Sequence, residues 1–366
     1  MIENPATLHL RPEHFTQAPT VLATFGGLTA TCFRYASGVA GLTIANDAGL
    51  IELLPFQGQQ IWDAVFFGRR LTMGSMFDEP IPTQNYLSTY GAFFIHCGVT
   101  AMGNPAPEDT HPLHGELPNA LYQEARLIIG EDADGPFMAL TGTYRHRVAF
   151  THNYVAEPVI KLGAKGGRIR ASLTIRNLKQ SPMELMYLAH VNFRPVDNAR
   201  LIDTVPDDPR NMRIRDKLPA NYLPSPDYRQ LLAEMLADPR KHRDIVPGRA
   251  IDPELVLSLD CRADAAGWAY SLQLLPDGSA DFVSHRPSEL DRGIRWMSRG
   301  GDQDALGVML PATADPNGYV AEKAAGRLRI IPPQGEYHCD LEFGALERDD
   351  AAQLKQKIEK IRQTGS

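Results

Sequence analysis

Arg168 to Asn177 reads RIRASLTIRN and alternates polar with apolar residues. A period of two marks a strand with one buried face and one wet face, and it does not fit a helix. The same grammar recurs. Trp268 to Leu275 (WAYSLQLL) runs into Pro276-Asp277-Gly278 and then Asp281-Phe282-Val283, which predicts a hairpin. Gly326 to Ile331 (GRLRII), a Pro332-Pro333-Gln334-Gly335 turn and Tyr337 to Phe343 (YHCDLEF) predict a second. Phe137 to Phe150 and Tyr154 to Leu162 are further strand-like runs, parted by Thr151-His152-Asn153. The 30 glycines and 28 prolines fall largely between such runs. Short strands at regular spacing predict an all-β sandwich or barrel.

Helical signals are few. Asp227 to Leu236 (DYRQLLAEML) holds good helix formers between Pro226 and Pro239. Asp349 to Arg362 opens with acids and closes with bases, which suits the helix dipole. Asp203 to Pro226, rich in Pro, Asp, Asn and Arg, reads as a long loop, either functional or a surface excursion. No stretch reads as a linker. We expect one domain over residues 1–347 and a C-terminal helix and tail over 348–366.

With 366 residues, 43% of them hydrophobic, the chain is long enough for a large core. A net charge of −7 speaks against nucleic-acid and membrane partners, which favour a basic face. Cys32, Cys97, Cys261 and Cys339 are far apart and form no CxxC pair, so they read as free, mostly buried thiols. Met1 to Pro5 has neither a basic nor an apolar leader segment, and no apolar run reaches the length of a membrane span, so the expected location is the cytoplasm.

The chain has no GxxxxGK[ST], HExxH or GxSxG motif, which weakens the case for an ATPase, a zinc protease or an α/β-hydrolase. Histidines near strand ends carry the remaining chemistry. In Tyr90 to Asn119, His96, His111, His114 and Glu116 lie within about twenty residues, a density unusual for a pure core segment. Gly115 after His114 permits a sharp turn or a close approach by a ligand. In Leu185 to Pro195 (LMYLAHVNFRP), alternation places His190 and Asn192 on one face and Val191 and Phe193 on the other. A histidine beside an amide suits a ligand that offers hydroxyls. Phe282 to Gly318 adds His285, Trp296, Arg299, Asp302, Gln303 and a turn at Pro311, with Glu322 beyond. Trp296 is either a platform for a sugar ring or a core residue.

Taken in order, these pieces resemble the aldose 1-epimerase (galactose mutarotase-like) superfamily over residues 35–345. Leu53 to Trp62 (LLPFQGQQIW) resembles an early strand, and His114-Gly115 resembles the family's His-Gly pair. His190-Val191-Asn192-Phe193 resembles its HPxF strand, Trp296 to Pro311 its Trp…Glu-Pro stretch, and Pro332 to Phe343 its closing strands. The pattern is closest to a branch separate from the standard galactose mutarotases. The resemblance implies a supersandwich of large antiparallel sheets with a few peripheral helices, and a cofactor-free enzyme that interconverts the anomers of a small-molecule carbohydrate. It implies His190 as the acid that protonates the ring oxygen and His114 as a second pocket histidine. The family's Glu-Pro glutamate is replaced by Leu310-Pro311, leaving Glu322 or Glu116 as candidate base. His96, His114, Asn192, His285, Arg299 and Gln303 are the candidates for holding hydroxyls, with no metal. Two alternatives stand: a non-catalytic carbohydrate-binding protein on the same fold, and a metal-assisted sugar isomerase or lyase using His96, His114 and His190. The sequence leaves the oligomeric state open.

Overall fold

The structure is a computed structural model and describes residues 5–216 and 224–363. Met1 to Asn4, part of the leader reading, and 217–223, part of the predicted long loop, lie outside the described residues.

The described strands form two antiparallel sheets, one of nine strands and one of thirteen. The alternating segment becomes the strand Gly167–Asn177, at the centre of the nine-stranded sheet. Its neighbours are His152–Gly163 and Glu336–Leu346. Its apolar residues Ile169, Ala171, Leu173 and Ile175 are all buried, as the period of two requires. The thirteen-stranded sheet places Ile251–Leu259, Arg292–Arg299, Asp304–Ala312, Met183–Val191 and Phe94–Val99 side by side in that order.

The main core lies between the sheets. Leu173, Ile175, Leu341 and Phe343 from one meet Phe94, Tyr187, Val191 and Leu257 from the other. A second apolar cluster covers the opposite face of the thirteen-stranded sheet, where Trp62, Ile95, Met186, Leu188, Val256 and Trp296 pack. The middle of this sheet is therefore buried on both sides, and strands such as Met183–Val191 lose their alternation and read as continuous apolar runs.

Helices Pro226–Ala237 and Arg348–Gln363 form where the sequence predicts them. A third, Tyr319–Ala324, is too short to show in the periodicity. None of the described helices is long and apolar enough to cross a membrane.

The hairpin Ala269–Leu274 with Ala280–His285 forms as expected. The second predicted hairpin does not. Arg329–Ile331 pairs with Met183–Val191, and Glu336–Leu346 pairs with strands of the other sheet, so the turn between them carries the chain from one sheet to the other. Pro311 is not in a turn either; it continues the strand Asp304–Ala312. The expected loop after Asp203 contains a short strand, Met212–Ile214, at the edge of the thirteen-stranded sheet. The four cysteines are free; three are buried and Cys261 is partly so.

Candidate functional site

On the face of the thirteen-stranded sheet that points away from the main core, a cleft of about 590 Å³ opens. Its floor comes from three strands of that sheet: His190, Glu254, and the Trp296 and Ser298 pair. Its walls are loops carrying Tyr86, Tyr90, Leu113, His114 and Gly300 to Gln303.

His190 reaches the cleft because Ile95, its partner on the neighbouring strand, faces the same way. It is 4% exposed. Asn192, two residues on, donates through Nδ2 to the Ala92 carbonyl (2.9 Å), so its Oδ1 is left as an acceptor. His190 Nδ1 donates to that oxygen at 2.6 Å. This fixes the tautomer and leaves Nε2, with its lone pair, as the ring nitrogen that serves the cleft. Burial lowers the His190 pKa to about 4, only partly offset by the Asn192 hydrogen bond.

His114 lies against His190 with ring centroids 5.5 Å apart, and against Tyr86 at 5.0 Å. Burial first, then the charges of His190, His111 and Arg215, push its pKa well below the usual histidine range. Its Nδ1 is buried without a partner. The turn that presents it is tight. His114 and Gly115 are both left-handed (φ 59° and 80°). A Cβ on Gly115 would lie 2.3 Å from the Ala101 carbonyl oxygen, so only glycine fits there.

Trp296 packs edge-on to His190 at 5.3 Å and donates its indole N–H to Glu254 Oε2 at 2.6 Å. Glu254 Oε1 is bonded to Arg215. Glu254 shares a strand face with Val256, which packs in the cluster beneath the cleft. Glu254 and His190 thus stand on either side of the Trp296 indole.

The sequence-predicted residues separate into two groups. His114, His190, Trp296, Asp302 and Gln303 line the cleft, and Asn192 supports it from below. The others lie elsewhere. Glu322 is fully buried and holds Arg327 (2.6 Å), Asn317 and the Asp315 amide, a clasp for the segment around its own helix. Glu116 is bonded to Thr100 and to the Tyr154 hydroxyl. Neither lines the cleft, and each is committed to a structural contact. His96 alternates with Ile95 and turns into the main core beside Phe94, bonded to Tyr187 at 2.8 Å. His96, His114 and His190 therefore share no cavity. Among the described residues no group of three or more His, Cys, Asp or Glu is placed to hold a metal ion. His285 is buried in the nine-stranded sheet. Arg299 is paired with Asp304 and Asp197 beside the cleft.

Sequence reasoning missed Glu254. The signal was present, since Glu254, Val256 and Ser258 occupy one face of an alternating run, ELVLSL. Nothing in the run itself says which face meets a ligand.

The two antiparallel sheets have a galactose mutarotase-like fold, and the cleft on one of them is lined by His114, His190 and Trp296. Over 99% of its length the chain superposes on 97% of a Klebsiella pneumoniae protein provisionally named an aldose 1-epimerase, with a TM-score of 0.83 at 16% identity. A galactose mutarotase-like protein from Clostridium acetobutylicum matches 87% of this chain and 98% of its own (TM-score 0.57, 14% identity). A galactose 1-epimerase from Lactobacillus acidophilus matches 93% and 99% (TM-score 0.52, 9% identity). At these identities the likeness is one of fold. A family profile described as a domain of unknown function, DUF4432, matches residues 36–199. No curated protein matches the sequence.

Proposed function

We propose that this chain is an aldose 1-epimerase-like isomerase that interconverts the anomers of a sugar in the cleft. The observation that carries this reading is His190: a buried neutral imidazole, held through Nδ1 by Asn192, with Nε2 presented beside Trp296. The apolar C–H face of a pyranose packs on the indole. Gln303 and the remaining lone pairs of Glu254 accept or donate to its hydroxyls.

The role of His190 differs from that implied by the resemblance. An imidazole with a pKa of about 4 starts neutral and takes a proton before it can give one. Nε2 accepts the anomeric hydroxyl proton, the O–H electrons form the C1 carbonyl, and the bond from C1 to the ring oxygen breaks. The ring oxygen takes a proton from a bridging water, and the imidazolium Nε2–H replaces it, so no hydroxide is left. Rotation about C1–C2 and the reverse sequence close the ring on the other face, and the imidazolium returns its proton. No cofactor enters this scheme.

Exchange NMR across a panel of free aldoses tests the reading. It expects faster anomer exchange with the parent protein, lost in His190→Ala and reduced in Trp296→Ala. No acceleration for any aldose removes it.

One observation favours a second reading, a carbohydrate-binding protein without turnover. Both oxygens of Glu254, the carboxylate beside Trp296, are already engaged by Arg215 and Trp296, so this glutamate is not set aside for proton transfer. Sugar binding that persists in His190→Ala, with no exchange catalysed by the parent, selects it.

A further inference from the structure

The charge of the cleft bears on which sugar it takes. Three of its lining residues are carboxylates, Asp252, Glu254 and Asp302, and none of the described lining residues is lysine or arginine. Of the three, Glu254 is neutralised by Arg215. Asp252 and Asp302 make no ion pair among the described residues and are exposed. Arg299, at the end of the strand beside the cleft, is paired with Asp304 and Asp197. The two cleft histidines add no positive charge at neutral pH, since burial keeps both in the neutral form. Among the described lining residues, the charge that a ligand meets is net negative.

From this we infer that the cleft selects sugars by charge: it binds an amine-bearing aldose more tightly than the neutral parent sugar and rejects the phosphate and carboxylate derivatives. The inference rests on the carbohydrate reading of the cleft and names the substrate class within it. The physical basis is twofold. A phosphate needs guanidinium, ammonium or clustered backbone N–H donors, and the described cleft residues supply no cationic side chain. A protonated amine finds two carboxylates without an ion pair, and because both are exposed the attraction is of the screened, salt-sensitive kind.

Titration calorimetry with the full-length protein tests it at low salt and about pH 6.5, below the usual amine range. The probes are glucose and galactose, their 2-amino derivatives, their 6-phosphates and their 6-carboxylates. The expected order is amine, then neutral, then anionic, with the phosphates at least about tenfold weaker than the neutral sugars and the spread shrinking as salt rises. The double variant Asp252→Asn, Asp302→Asn brings the ratio of amine to neutral affinity towards one, and a thermal melt checks that it is folded. Phosphates that bind as well as the neutral sugars, or amines that bind no better than them, overturn the inference while leaving the carbohydrate reading in place. If no probe of any class binds, both fall together.

Discussion

His190 owes its chemistry to its neighbours, and two predictions follow from that. If its neutral form is the proton acceptor, anomer exchange is flat through neutral pH and falls on the acid side with a midpoint near pH 4, not near the 6.5 of free histidine. A pH-rate profile checks this; an acid limb at 6.5, or a rate that climbs as pH falls, contradicts it. Asn192→Ala removes the hydrogen bond that favours the charged form, so the acid limb moves to still lower pH. The same change leaves a buried N–H without a partner and costs about 1–3 kcal/mol of stability. A merely structural asparagine would lower stability and leave the pH limb where it was, so the two measurements together separate positioning from packing. The histidine and asparagine were legible in the sequence because alternation put them on one face of a strand. Glu322 and Glu116 stand outside the cleft because other contacts hold them: Glu322 by Arg327 and Asn317 on either side of it along the chain, Glu116 by Thr100 and Tyr154 from other strands and loops.

At the scale of elements, the two sheets are joined by charge as well as by apolar packing. Arg295 follows Glu254's partner strand into the core side, opposite Trp296, and is fully buried. It donates to Asp203, at the end of a nine-stranded-sheet strand, at 2.9 Å, to the Val308 carbonyl and to His242 Nε2. Arg243 reaches the same aspartate at 3.0 Å. Burial alone would raise the Asp203 pKa, but the guanidinium groups of Arg295 and Arg243 outweigh it and hold the carboxyl below its ordinary value. Asp203→Asn removes the anion and leaves two buried cations, so it should destabilise the protein by about 3–5 kcal/mol, measured by urea denaturation. The period of two identified the strands that form these sheets, and the helices at Pro226–Ala237 and Arg348–Gln363 carried their own start and stop signals. Pairing was another matter. Glu336–Leu346 looked like the return arm of a hairpin, yet it lies between Gly167–Asn177 and Ala280–His285, because a turn rich in Pro and Gly serves equally well to cross between sheets.

For the whole molecule, buried histidines set a common pH dependence. His96 and His242 are lowered to about 3, and His190 and His285 to about 4, in each case chiefly by burial. The unfolded chain takes up protons near pH 6.5 that the native state refuses. Stability should therefore be fully present above 6.5 and fall as pH drops through 6.5 towards 3, by up to about 1.4 kcal/mol per unit for each such histidine. Thermal melts across that range check it; a melting temperature constant from pH 7 down to 4.5 contradicts it.

What the sequence determined by itself was the strand content, the two longer helices, the free thiols and the association of His190 with Asn192. All of these follow from local periodicity or from residues close along the chain. The tertiary structure decided which strands are neighbours, which face of the thirteen-stranded sheet carries the cleft, and that Glu254 rather than Glu322 stands beside Trp296. A pattern of period two names two faces but does not say which of them is covered by the core and which by a ligand. That choice is made only when sheets stack, because burial is a property of the assembled layers and not of any one strand.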